Sequence, residues 1–457
     1  MKSVNELNNL REFYKSGATK SFEFRKQQLI KLKNVITKYE KEIFKALYTD
    51  LRKSQEECWV TENGMLITEI NFALSNLHKW MSPQRVKTNL LNFPSSSYIV
   101  NEPLGVVLII SPWNYPLQLL LKPLVGAIAA GNCIVLKSSE FAVATTRLLS
   151  KMIEETFDKK YILFTEGDGA EVVSSMMNQF IFDHVFFTGS TSVGKSVYQL
   201  AANNLVPVTL ELGGKSPCII ESDADLYVAA KRIVSTKFSN AGQMCVAPDY
   251  VLIHVSIKQK FIDILTSTIV QFFSSTAETA EHYGRIINEK QFDRIVKYLK
   301  NGTIIFGGNL NRKELFIGPT VMDTIDLESD IMQEEIFGPI LPLIGFDKME
   351  DAINIIEKNK NPLATYIFTS SNKKEKKWIE NISFGGGCIN NATWHLTNHH
   401  LPFGGRGFSG IGQYQGKYTF DTFSHKKSIL KTPTWFDPSI KYPPYKGKLN
   451  YFKKFIR

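Results

Sequence analysis

Between Val106 and Leu212 the sequence switches repeatedly between short apolar runs and longer stretches of helical periodicity. The runs Val106–Ile110, Cys133–Lys137, Tyr161–Thr165, His184–Thr188 and Val208–Leu212 read as strands. A strand that is apolar on both faces of its pleat must be covered on both sides, which helical crossovers do for a parallel sheet. The helices expected between them are Leu117–Ala130, stopping at Gly131, then Ala142–Phe157, Ala170–Asn178 and Val193–Asn203. This pattern predicts a doubly wound parallel sheet with right-handed crossovers.

A second run of the same kind follows. It reads as helix Leu226–Asn240, strand Tyr250–Val255, helices Lys258–Phe273, Glu289–Lys300 and Met349–Lys358, strand Ala364–Phe368 and helix Lys374–Asn381. The expected fold class is α/β, with two doubly wound parallel-sheet domains; 457 residues are too many for one core. Gly385–Gly387 reads as a turn that needs glycine's backbone freedom. Residues 4–81 read as helical, stopped by Pro83, and Asn89–Glu102 reads as an extended arm outside the main sheets.

Composition narrows the function classes. Hydrophobic residues make up 43% and charged residues 21%, as in ordinary soluble proteins. The net charge of +10 is spread among acidic residues except at the C-terminal end, so no nucleic-acid partner is expected. Cys58, Cys133, Cys218, Cys245 and Cys388 are odd in number and form no CxxC, which argues for a reducing compartment. His395 and His399 stand four apart but in a loop-like context without HExxH, so no metal site is expected. Met1–Asn9 has no apolar signal core, and no stretch is long enough to span a membrane. The expected location is cytoplasmic.

Several motifs fall where strands end. Phe187–Lys195, FTGSTSVGK, is a strand–turn–helix junction of the kind that binds pyrophosphate, or simply a tight turn capped by Ser190 or Thr191. Lys137 and Glu140 follow another strand and are placed either for ribose hydroxyls or for the first turn of a helix. Glu211, in LELGGKSP, stands before a Gly-Gly turn inside apolar sequence, as a general base or as a buried ion-pair partner would. Cys245, in NAGQMCVAP, follows a glycine-containing turn that leaves it reachable, although a lone cysteine is usually a small buried hydrophobe. Asn114, in PWNYP, offers a neutral amide donor at the sheet's carboxyl edge or serves as a turn residue. Glu335 and Phe337 lie in QEEIFGP, which also reads as a helix end with a Gly-Pro stop.

Together and in this order, with LPFGG at 401–405, these motifs resemble the aldehyde dehydrogenase superfamily from about Phe24 to Ser428. Val-Ala-Pro-Asp-Tyr after Cys245, FDTFSHKKS at 420–428 and Tyr-Pro-Pro-Tyr at 442–445 look like class 3, the short form. The resemblance implies that Cys245 is the nucleophile, Glu211 the base and Asn114 the oxyanion donor. It implies cofactor contacts from Lys137, Glu140, Gly189, Ser190, Glu335 and Phe337, with NAD as cofactor and NADP as the variant. The implied substrates are medium- or long-chain aliphatic or aromatic aldehydes, and the implied assembly is a homodimer. The implied division is a cofactor-binding domain at 1–82 and 102–209 and a catalytic domain at 210–395. A small β-arm for oligomerisation, at 83–101 and 396–430, and a basic aromatic tail at 431–457 complete it.

Two positions depart from the class 3 pattern: Gln415 stands where His is common, and Asn391 where Asp is usual. Neither falls on the residues of the chemistry. The rival activities are acyl transfer to coenzyme A on the same scaffold and binding without catalysis. Glu211 argues for hydrolysis to the free acid, and Cys245 with Asn114 for catalysis. In the tail, residues 441–457 carry basic and aromatic residues and no acid. As a helix, 449–457 would put Leu449, Phe452, Phe455 and Ile456 opposite Lys453, Lys454 and Arg457, suited to weak peripheral contact with a membrane.

Overall fold

In the computed structural model, residues 4–274 and 277–455 are described, and they form two parallel sheets wrapped by helices and a separate antiparallel ribbon. The first sheet has six strands in the order Gly410–Ile411, Val208–Glu211, His184–Thr188, Val106–Ile110, Cys133–Lys137 and Ile162–Thr165. All its neighbours run parallel except Gly410–Ile411, which pairs antiparallel with Leu210 and Glu211. The central strands are buried along their whole length, because helices such as Gln118–Ala130 and Thr191–Ala202 pack over both faces.

The second sheet has seven strands: Thr303–Phe306, Thr320–Asp323, Ile340–Phe346, Tyr250–His254, Pro217–Ile220, Ala364–Phe368 and Gly386–Ile389. It is parallel except at its first pair. The ribbon joins Gln84–Val86, Ser96–Pro103 and Ser424–Lys431, with Ser424 opposite Pro103 and Lys431 opposite Ser96. No helix among the described residues is long and apolar enough to cross a membrane.

Several expectations need correction. Gly385–Gly387 is not a turn: Gly386 and Gly387 begin an edge strand pairing with Ala364 and Thr365. Glycine is required there by close approach, since a Cβ at Gly387 would overlap the Thr365 carbonyl. The 396–430 segment is not confined to the arm, because Gly410–Ile411 returns to the first sheet beside Glu211. Within the stretch Asn89–Glu102 expected to be extended, the strand starts only at Ser96, after a 3₁₀ turn at Leu90–Asn92, and runs on to Pro103. The expected helix Leu226–Asn240 ends at Phe238, and Asn240 and Ala241 take left-handed φ of 50° and 51°.

Candidate active site

The carboxyl ends of the first sheet's strands carry most of the residues singled out above, as expected for ligand sites in open parallel sheets. Lys137 ends its strand almost fully buried. Its ammonium donates to the Ser138 carbonyl at 2.6 Å and to Glu140 at 3.2 Å. Glu140 is not in a helix; it lies in the turn ahead of Val143 and also accepts the Gly169 N–H at 3.3 Å. Two strands over, after His184–Thr188, the Gly189 N–H donates to the Glu211 carbonyl at 3.0 Å. Ser190 caps the Thr191–Ala202 helix.

That helix starts at the edge of a cleft of about 370 Å³, lined by Thr191, Gly213, Gly214, Lys215, Glu335 and Phe408 among others. Glu335 lies so close over Gly213 that a Cβ there would overlap its carboxylate. Burial and the nearby Asp249 push the Glu335 carboxyl up to about 8, against the pull of the Gly214 N–H, Lys215 and Arg294. The Glu335 loop is held from beneath. Lys215 pairs with Asp249 and donates to Ile331 O at 2.7 Å and Glu334 O at 2.9 Å. Asp249 accepts the Ile336 N–H at 3.0 Å, and Arg294 donates to the carbonyls of Glu335 and Ile336. Phe337 has φ of 47° and packs edge-on against Trp113, with centroids 5.4 Å apart.

The left-handed turn at Asn240 and Ala241 swings the chain back toward the first sheet and delivers Cys245. Gln243, fully buried, fixes this turn. Its amide donates to Asn240 O at 3.0 Å and Arg285 O at 2.9 Å, and its oxygen accepts from Ile287 N at 3.0 Å. Asn114 sits beside it, 2% exposed, donating through Nδ2 to the Gln243 carbonyl at 3.0 Å. One N–H of the Asn114 amide remains for a ligand, and its Oδ1 is buried without a partner.

Glu211 is buried with neither carboxylate oxygen hydrogen-bonded. Burial raises it well above the usual carboxylate range, and only the buried Lys122 ammonium works against that. Burial, then Glu335 and Glu211, hold the Cys245 thiol well above its ordinary value, while backbone N–H groups at Cys245 and Val246 pull it down. The fold thus brings Cys245, Glu211 and Glu335 within electrostatic reach of one another, with Asn114 against the cysteine loop. The arrangement can hold a carbonyl oxygen at an amide, present a thiol to its carbon, and keep beside them a buried carboxyl whose affinity for a proton is raised.

The other cysteines are not so placed: Cys58, Cys133 and Cys218 are buried, and half-buried Cys388 lies 3.5 Å from His395 Nδ1. His399 does not join His395; it pairs with Glu69 at 2.8 Å. Gln415 stands nearer the chemistry than its sequence position implies. Its Oε1 accepts from Lys122, the cation that acts on Glu211, at 3.0 Å, and its Nε2 donates to Asn398 O. Asn391 only caps its own turn through the Ala392 N–H. Sequence reasoning missed Lys53, Glu57, Glu62, Lys122, Gln243 and Asp249. Of these, Lys122 carried a signal, a single charge inside LLLKPL.

A family model described as the aldehyde dehydrogenase family matches residues 8–429. A 4,4'-diaponeurosporen-aldehyde dehydrogenase from Staphylococcus aureus is 46% identical over 97% of each chain. Aldehyde dehydrogenase family 3 member A2 of Rattus norvegicus is 41% identical, over 99% of this chain and 93% of that one. The solved substrate-bound state of Staphylococcus aureus AldH superposes with a TM-score of 0.97 at 45% identity, covering all of both chains. Structural neighbours at 26% and 29% identity were solved with NAD+.

Proposed function

The chain belongs to the aldehyde dehydrogenase family, class 3-like, and on that premise we propose that it oxidises a medium- or long-chain aliphatic or aromatic aldehyde to the free acid through a thioester on Cys245. It is an NAD-dependent oxidoreductase, and NADP also serves within the family. The residues present fit that cofactor. A capped helix start at Ser190, a Lys137–Glu140 pair and a glycine-lined cleft under Glu335 match the needs of pyrophosphate, ribose and nicotinamide ribose in turn. When bound, the nicotinamide supplies the hydride acceptor.

In this reading Cys245 loses its proton to water and attacks the aldehyde carbon as a thiolate. The free N–H of Asn114 and the Cys245 backbone N–H receive the charge that develops on oxygen, a contribution of about 100- to 1,000-fold per donor. Loss of hydride from the carbon leaves a thioester. Glu211 then takes a proton from water, and hydroxide character at that water releases the acid. The observation that carries the reading is the Glu211 carboxylate, buried beside the cysteine loop with no hydrogen-bond partner. A structural role would have given it one.

The test is Glu211→Gln in stopped flow. It should leave a first burst of NADH while steady turnover falls by about 100-fold or more. Equal loss of both phases would remove Glu211 from thioester hydrolysis. We further infer a homodimer through the ribbon, supported by exposed Leu90, Phe93 and Trp435 beside its strands. A cytoplasmic location, with weak membrane contact through the tail, completes the reading.

A further inference from the structure

Three charged side chains of the segment 53–62 lie beneath both reactive loops. Lys53, fully buried, donates to Glu62 Oε1 at 2.9 Å and to the main-chain carbonyl of Asn114 at 3.0 Å, and sits 3.8 Å from the centroid of the Tyr115 ring. Glu62 takes the Gln118 N–H on its other oxygen at 2.8 Å, fixing the far end of the same loop. Glu57 accepts from Asn240 N at 2.8 Å and Ser239 Oγ at 2.9 Å, at the root of the cysteine loop. The Asn114 carbonyl also receives Asn240 Nδ2 at 2.9 Å. Glu62 is turned inward by a π-helical turn at Trp59–Asn63, a feature that recurs at functional sites.

We propose that Lys53 and Glu62 are positioning residues for acylation: they fix the Asn114 main chain so that its second amide N–H meets the aldehyde oxygen at Cys245. The proposal rests on the reading of Asn114 and Cys245 given above. The Asn114 side chain cannot fix itself, because Oδ1 has no partner and a single bond to Gln243 holds Nδ2. Its aim therefore depends on the backbone, which lies in a loop between Pro112 and Pro116. An ammonium on the carbonyl of that residue is a strong, short-range constraint. Stability alone does not explain the pair. Fully buried ion pairs are often no better for stability than neutral residues of the same size, so the position they hold is the better reason for them.

A double-mutant cycle with Asn114→Ala separates this from a merely structural role. The measured quantity is the first-turnover rate of NADH formation. Lys53→Met should slow it on the order of 10- to 100-fold in the native background, since small misplacements of a reacting group cost that much. In the Asn114→Ala background the same change should cost less than about twofold, because the group it positions is gone. Should Lys53→Met fail to fold, Lys53→Met with Glu62→Gln removes both charges together, leaves none unpaired, and carries the same expectation. An equal loss in both backgrounds overturns the positioning role while leaving Asn114 as donor. A native rate for Asn114→Ala alone overturns the donor reading, and this proposal with it.

Discussion

Burial keeps Glu211 from ionising, and Lys122 works against it. Lys122 is the one charged residue of the buried helix Gln118–Ala130, is tethered to Gln415, and its charge lowers the Glu211 carboxyl against the larger effect of burial. A base works only when deprotonated, so the rate of thioester hydrolysis should rise with pH through the Glu211 value, which burial places above the ordinary carboxylate range. Removing the cation raises that value further. Lys122→Met should therefore move the rising limb of the steady-state pH profile to higher pH, while the NADH burst keeps its own profile. A limb that stays in place would show that Lys122 does not act on the base. This residue also marks the limit of reading chemistry from sequence. Cys245, Glu211 and Asn114 could be singled out as candidates because each sits in a local motif at or near a strand end or turn. Lys53, Glu62 and Gln243 were not, because their roles exist only across the fold: Lys53 reaches Asn114 over 61 residues, and Asn114 reaches Gln243 over 129. A buried lysine in sequence looks like any lysine until its partner is known.

At the scale of elements, periodicity revealed what packing enforces on both faces of a strand. Val106–Ile110, Cys133–Lys137, His184–Thr188 and Ala364–Phe368 were readable to the residue because each is a continuous apolar run between helices. Thr303–Phe306 and Thr320–Asp323 escaped because each is only four residues long, and Ile340–Phe346 because Pro342 and Gly345 interrupt it. Gly386–Ile389 escaped because glycine's use there is close approach rather than a turn. The ends of the parallel strands carry a prediction of their own. The turn after Cys133–Lys137 sets Glu140 against Lys137, so that an acid faces the place where ribose hydroxyls are expected. NAD should be preferred over NADP, because a 2′-phosphate would meet that carboxylate. Glu140→Gln should weaken NAD by about tenfold in kcat/KM, the worth of a charged hydrogen bond, and improve NADP by freeing Lys137. Parallel losses with both cofactors would place Glu140 away from the ribose.

The molecule as a whole is basic, and the residues beyond the ribbon concentrate that charge with aromatic rings. The structure partly answers the expectation of an amphipathic tail. Leu449–Phe455 is helical, with Leu449, Tyr451, Lys453 and Lys454 exposed. Phe452 is not free; it packs against Tyr445 at 5.8 Å. Lys448 is spent closing a loop, donating to Ser439 O at 3.1 Å and Tyr442 O at 2.7 Å. The Phe455 side chain, Ile456 and Arg457 lie outside the described residues. What remains exposed is a set of apolar side chains, Tyr442, Tyr445, Leu449 and Tyr451, with the exposed lysines 441, 453 and 454 in the same stretch of chain. Each basic residue near an anionic surface contributes about 1 kcal/mol, screened within roughly 10 Å at 0.1 M salt, so binding should be weak and salt-sensitive. The full chain should co-sediment with vesicles rich in anionic lipid at low salt and release as salt rises; a chain ending at Ser439 should stay in solution at both. The shortened chain should oxidise a short water-soluble aldehyde as the full chain does, and fall behind only when a long-chain aldehyde is presented in those vesicles. If the two chains sediment alike, the tail docks on protein rather than lipid. Its exposed rings would then belong with Leu90, Phe93 and Trp435 to the surface between subunits.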